Sequence, residues 1–285
     1  MNKPKLTPTQ DALAGALGAA ISLICVYPLD ISKTKLQVQS KNKENTISII
    51  KAIYQEEGLL GLYTGITSAL IQTFSGNYSY FFWYKFLRTH FQKDGKSLST
   101  FLELFVGALA GGLCQITTIP ISVVVTRQQT TPKSHRKTLI GTWNQIVSES
   151  GWLGLYKGFR ASIILTINPS ITYGAYQKLK VWCSSKVGIL NPFHILLIGA
   201  LSKTLATVVT YPYIMAKTRL QWKPIGSAEN EYKSAVDVIL KVLKTDGFFG
   251  LYQGLSAQIS KAVLAQALLF VLKDKIENSV QKIVN

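Results

Sequence analysis

Residues 26–37 read VYPLDISKTKLQ, and two later stretches repeat that reading: TIPISVVVTRQQ at 118–129 and TYPYIMAKTRLQ at 210–221. The prolines Pro28, Pro120 and Pro212 each close a long apolar run and stand 92 residues apart. A second signature follows each proline, as EGLLGLYTG (57–65), SGWLGLYKG (150–158) and DGFFGLYQG (246–254). Two motifs recurring three times in one order define an internal repeat, and a period this regular sets the architecture before any local reading does. The expected units are 1–95, 96–188 and 189–285, forming one transmembrane domain.

Each unit holds two apolar segments. The stretches 12–29, 58–84, 104–126 and 161–177 contain no Asp, Glu, Lys or Arg; 192–216 is interrupted only by Lys203, and 255–272 by Lys261 within its apolar run. Each approaches or exceeds the roughly 20 residues that cross a bilayer as helix. The expectation is an all-α membrane protein: six transmembrane helices in three tandem two-helix repeats around a threefold pseudo-axis. Between the helices of a pair, TISIIKAIYQEEG places Ile47, Ile50, Ile53 and Tyr54 at helical spacing, which predicts short helices lying on the membrane surface. Composition agrees. Charged residues make up 16 % of the 285-residue chain against about 25 % in soluble domains, and mean hydropathy is +0.21. The net charge of +17 points to anionic partners. It does not orient the chain, because basic residues lie on both sides of the spans.

Proline inside a helix removes a backbone donor and bends the axis, so three such helices can converge and close one end of a pore. An acid two residues after the proline and a base five after it sit on neighbouring turns and can pair. The pattern survives as Asp30 and Lys33 in the first repeat, but reads Ser122 and Val125 in the second and Ile214 and Lys217 in the third.

The pattern P-x-[DE]-x-x-[KR], followed by [DE]-G-x-x-x-x-[YF]-x-G, resembles the mitochondrial carrier family over essentially the whole chain. The resemblance implies a central cavity that opens alternately to either side. It also implies a gate in which each acid pairs with the base of the next odd helix. On that rule no complete pair survives here, and Asp30 is expected to turn to Lys33 or Lys217. Gln37, Gln129 and Gln221, nine residues after the prolines, resemble glutamines that brace such a gate. The expected gate set is therefore Pro28, Asp30, Lys33, Gln37, Pro120, Gln129, Pro212, Lys217 and Gln221. Even helices in relatives often end in [FY]-[DE]-x-x-[KR]. Here the equivalents are Tyr84-Lys85-x-x-Arg88, Tyr176-Gln177-x-x-Lys180 and Lys273-Asp274-x-x-Glu277.

Within the family, YPLDISKTKLQ, INPSITYGAYQ and TYPYIMAKTRLQ look like the peroxisomal adenine nucleotide carriers. That likeness implies exchange of ATP for AMP or ADP across the peroxisomal membrane, or, as the alternative location, the mitochondrial inner membrane. Contact positions carried over from the family fall on Gln72, on Leu165 with Thr166 beside it, and on Lys261. Lys203 and Lys261 are cations within apolar spans, where charge usually faces water or a partner. With Arg160 they are expected to hold phosphate, the other reading being that they snorkel to the headgroups. Gln72, Asn77, Tyr80 and Asn168 are candidates for holding the base. Gly65, Gly158 and Gly254 begin even helices and resemble sites for an anionic lipid headgroup. A monomer without cofactor or metal is expected.

Rival classes fail on the residues. There is no G-x-x-x-x-G-K-[ST], H-E-x-x-H or G-x-S-x-G, and His90, His135 and His194 are isolated. Basic residues are scattered among the spans with no nucleic-acid-binding module. Cys25, Cys114 and Cys183 have no metal or disulfide spacing and read as packing residues. Residues 1–10 are polar, so membrane targeting is expected to be internal. The remaining alternative is a carrier of another large anion, such as coenzyme A, NAD or a flavin nucleotide.

Overall fold

The structure, a computed structural model, describes residues 8–38, 45–92, 98–188, 190–223, 232–265 and 268. The termini and the Lys273-Asp274-x-x-Glu277 motif lie outside the described residues. In chain order the helices are α1 (Pro8–Val38), α2 (Thr46–Gly61), α3 (Ile66–Phe91), α4 (Thr100–Thr130), α5 (Leu139–Ser150), α6 (Phe159–Leu165), α7 (Asn168–Val187), α8 (Pro192–Gln221) and α9 (Ala235–Thr245). Residues 255–265 form a further helical segment, the start of the sixth span. No strand occurs among the described residues.

The odd-numbered spans α1, α4 and α8 are 31, 31 and 30 residues long, and each carries its motif proline inside the helix. About 45 Å of helix is longer than a hydrocarbon core of about 30 Å, so their ends project beyond it. Phe101–Thr130 and Phe193–Gln221 are long and apolar enough to cross a membrane. Of the even spans, α3 is continuous and the fourth is not. Thr166 and Ile167 form a turn between α6 and α7, which breaks the span that the sequence suggested over 161–177. The cause is Pro169 at the start of α7. It has no N–H to give the Leu165 carbonyl, and its fixed φ suits a first helical turn.

The surface helices α2, α5 and α9 follow the odd spans. Thr138 caps α5 by accepting from Gly141 N at 3.2 Å, and Ser234 caps α9 by accepting from Asp237 N at 3.2 Å. Each helix buries one pair of side chains four residues apart: Ile49 and Ile53, Thr142 and Ile146, Val238 and Val242. In α2 the buried stripe is offset from the expected one, because Ile47 and Tyr54 remain exposed. The three clusters that receive these helices lie on the odd spans beyond their prolines, around Ile31 and Leu36, Val123 and Val124, and Met215 and Leu220. The apolar core is thus concentrated at the proline end. Toward the other end, α3 packs on α4 through Leu87, Val106 and Ala110, with Ser79 Oγ and Thr117 Oγ1 2.7 Å apart.

Candidate functional site

At the proline end the three odd spans are tied into a ring by their glutamines, all buried. Gln129 on α4 donates through Nε2 to the Tyr27 hydroxyl (3.1 Å) and to Asp30 Oδ2 (3.4 Å) on α1. Gln37 on α1 donates to the Tyr211 hydroxyl on α8 (3.1 Å) and accepts from Thr218 Oγ1 (2.9 Å). Gln221 on α8 accepts through Oε1 from Ser122 Oγ (3.3 Å) and Thr126 Oγ1 (2.9 Å) on α4. Each glutamine therefore bridges to the preceding odd span, taken cyclically, and the cycle closes.

Among the described residues, ion pairs contribute only on one side of the ring. Asp30 is bonded by Lys33 Nζ at 2.9 Å and by Lys261 Nζ. Of the two partners expected for Asp30, Lys33 is the one it meets, and Lys261 is added. Lys261 is not an unopposed cation, because the fold brings Asp30 to it across 231 positions of sequence. Lys217 is not a partner of Asp30.

Beside the ring lies a cavity of about 650 Å³, within the 300–1,000 Å³ usual for small-molecule sites. Its walls come from Tyr80 and Tyr84 of α3, Glu103, Gly107, Gly111 and Gln115 of α4, Ser162, Leu165, Thr166 and Tyr173 of the broken fourth span, and Lys217 of α8. Tyr80 and Tyr84 stack with centroids 6.0 Å apart and their planes at 14°. Of the sequence candidates, Tyr80, Leu165 and Thr166 line this space; Gln72, Asn77, Arg160, Asn168, Lys203 and Lys261 do not. Lys203 instead donates to Asn168 Oδ1 at 2.9 Å, and Asn168 Nδ2 donates to Thr210 Oγ1 at 2.7 Å. That cluster locks α7 to α8 and fixes the break in the fourth span. The fold explains why Asn168 follows the break, but among the described residues Lys203 meets no anionic partner.

Gly65, Gly158 and Gly254 have φ of 76°, 81° and 80°, a conformation that favours glycine. A Cβ at Gly254 would lie 3.0 Å from the Tyr211 hydroxyl and 3.1 Å from the Lys33 carbonyl, so close approach also demands glycine there.

Glu103 and Gln115 were not singled out from sequence, yet with Gly107 and Gly111 they recur every four residues along α4, so one-face helical periodicity carried the signal. A base seven residues after each motif proline was also overlooked. Arg127 reaches Glu149 (3.4 Å) and Arg219 reaches Asp246 (3.6 Å), pinning the surface helix to its own span. In the first repeat Glu57 is gripped instead by Arg136 of the second, through a fork of 2.7 and 3.1 Å. The Arg136 hydrogen bonds hold the Glu57 carboxyl below the usual glutamate range.

Compared with known proteins, residues 4–95, 96–187 and 189–283 each match the pattern of the family described as mitochondrial carrier protein. The chain is 33 % identical over 310 residues to peroxisomal adenine nucleotide transporter 1 of Saccharomyces cerevisiae, covering 96 % of this chain and 93 % of that protein. It is 32 % identical to peroxisomal adenine nucleotide carrier 1 of Glycine max (94 % and 90 % covered). It is 30 % identical to a peroxisomal nicotinamide adenine dinucleotide carrier of Arabidopsis thaliana (93 % and 94 % covered).

Proposed function

The chain belongs to the mitochondrial carrier family, and on that premise we propose that it is a peroxisomal adenine nucleotide antiporter, importing ATP in exchange for AMP or ADP. The observation that carries this reading is a cavity of nucleotide size, walled by stacked tyrosines and stopped at one end by an interhelical ring. The kinship with adenine nucleotide carriers over almost the whole chain supports it.

The three repeats act as one transmembrane domain. The solute binds the occluded intermediate more tightly than either end state and so lowers the barrier between them, a consequence of differential affinity. Pro28, Pro120 and Pro212 shape the converging helices; Gln37, Gln129, Gln221, Asp30 and Lys33 close the gate. Tyr80, Leu165 and Thr166 touch the solute. Lys261 meets phosphate only after Asp30 releases it, so solute entry and gate opening compete for one lysine. Gly65, Gly158 and Gly254 leave backbone N–H groups for an anionic lipid headgroup, and the unit works as a monomer. The second reading, an NAD or other large-anion carrier, is kept by the Arabidopsis thaliana relative.

The test is uptake of labelled ATP into liposomes holding the purified protein, loaded with AMP, coenzyme A, NAD or nothing. Uptake that requires internal AMP is expected. Stimulation by NAD or coenzyme A alone would overturn the adenine nucleotide reading and leave the gate geometry intact.

A further inference from the structure

Two polar side chains at the ring end of the cavity have no partner among the described residues. Ser162 lines the cavity at 2 % exposure, yet its Oγ makes no hydrogen bond. Lys217 lines the same space and has neither an ion pair nor a hydrogen bond among the described residues; the charge that acts on it is another cation, Lys33. The two belong together. Gly158, one turn before Ser162 on α6, packs on Lys217 so closely that a Cβ there would lie 3.4 Å from its Cγ.

The cause is legible in the repeat. Where the first repeat has Asp30, holding two lysines, the second has Ser122, and its hydroxyl is committed to Gln221 Oε1. The lysine that an acid at 122 would have neutralised is left charged inside the membrane domain. A cation so placed is costly unless an anion meets it. At the other end of the cavity wall stands a carboxylate, Glu103, half-exposed and 3.5 Å from Arg88, next to Tyr84. The cavity is therefore polar along its length: positive with a free hydroxyl at the ring, aromatic with an ion-paired carboxylate away from it.

We infer that Lys217 and Ser162 form the phosphate-receiving end of the substrate cavity, with the base held toward Tyr80, Tyr84 and Tyr173. A residue from the gate motif thereby becomes a specificity residue. The phosphate of an entering nucleotide accepts hydrogen bonds from Lys217 Nζ and Ser162 Oγ, charge-assisted in the first case. The inference rests on the nucleotide reading above.

The experiment measures half-saturation of exchange by ATP and by AMP in reconstituted full-length protein, alongside the unfolding temperature of the ligand-free protein. K217Q is expected to raise half-saturation about tenfold or more, the loss of one hydrogen bond to a charged group, while the ligand-free unfolding temperature holds or rises because an unpaired cation has gone. K217R should retain most of the affinity, and S162A should lose severalfold on the order of one neutral hydrogen bond. S122D, which gives Lys217 an internal anion, should mimic K217Q. If the wild type exchanges ATP and K217Q stays within about twofold, Lys217 does not receive phosphate. A fall in ligand-free stability with unchanged half-saturation overturns the inference in the same way. A wild type that exchanges NAD or coenzyme A but no adenine nucleotide refutes the parent reading instead, and the same variants then test Lys217 with that anion.

Discussion

Two seams of the ring are built alike and the third is not. Where Gln129 meets the first repeat and Gln37 meets the third, the glutamine amide donates to a tyrosine that precedes the motif proline. That tyrosine passes the bond on: Tyr27 donates to the Thr64 carbonyl and Tyr211 to the Gln253 carbonyl, both at 2.7 Å. Each carbonyl precedes the glycine that starts the next even span, so the relay ties two odd helices and one even helix together. In the second repeat the corresponding residue is Ile119, fully buried. Gln221 presents its oxygen to Ser122 and Thr126, and its Nε2 is buried without a partner. A buried donor left unmet costs about 1–3 kcal/mol. One apolar residue thus turns a relay into a dead end, and the seam between repeats two and three is the weakest of the three.

The largest effect should come from the strongest seam. Asp30 serves Gln129, Lys33 and Lys261 together, so D30N strips two lysines of their carboxylate. Removing one member of a buried ionic cluster costs about 3–5 kcal/mol. We expect a steep fall in unfolding temperature in detergent; a fall no larger than that of a surface substitution would place the closing force elsewhere. Next comes a matched pair. Q129L should destabilise by about 1–3 kcal/mol, because it leaves the Tyr27 hydroxyl oxygen and Asp30 Oδ2 without the donor that Gln129 supplies. Q221L should cost markedly less, since it also removes an unmet donor. Equal losses would mean that the asymmetry in the ring has no energetic weight.

The threefold architecture and the gate positions were readable because they rest on covalent spacing: prolines every 92 residues and glutamines nine positions later leave little else to decide. What spacing does not encode is which atoms meet across helices. Lys261 was expected to hold phosphate, and the acid that occupies it, Asp30, lies in another repeat. Lys203 and Asn168 read as substrate contacts because a polar group in an apolar span suggests a pore, whereas these two hydrogen-bond one another between α7 and α8. The cavity itself was partly visible, in the four-residue recurrence on α4. The break in the fourth span was signalled by Pro169, which a hydropathy reading passes over because proline carries no charge.

The third prediction repairs the odd seam. I119Y places a phenol where Tyr27 and Tyr211 stand, within the same local frame, with the Lys157 carbonyl as counterpart of the Thr64 and Gln253 carbonyls. The hydroxyl would accept from Gln221 Nε2 and donate to Lys157. One restored bond contributes about 1 kcal/mol, offset by whatever repacking around Leu155 and Ile146 requires. A rise of a few degrees in unfolding temperature, lost again in I119Y/Q221L, is the expected result; a rise that survives the second change comes from packing and not from the relay.

The smallest effect lies outside the membrane, where the same two seams are tied by charge. Arg136 crosses from the second repeat to the first and grips both oxygens of Glu57. Lys223 crosses from the third to the second with one contact to Glu149, at 3.1 Å. Arg136 hydrogen bonds depress the Glu57 pKa. At Glu149 burial pushes the pKa up, but Gln145, Lys223 and Arg127 outweigh it and the result is again depressed. A carboxyl depressed by folding adds stability above its unfolded value, and that stability is lost as pH falls through the lower, folded value. The unfolding temperature should therefore decline from neutral pH into and below the ordinary glutamate range. R136Q should flatten that decline more than K223Q, because Glu149 keeps Arg127 and Gln145 while Glu57 loses its planar, two-pronged partner. Both effects are modest, since partly exposed pairs at the surface are screened by salt. Identical acid limbs for the two variants would show that the difference between the seams ends at the membrane surface.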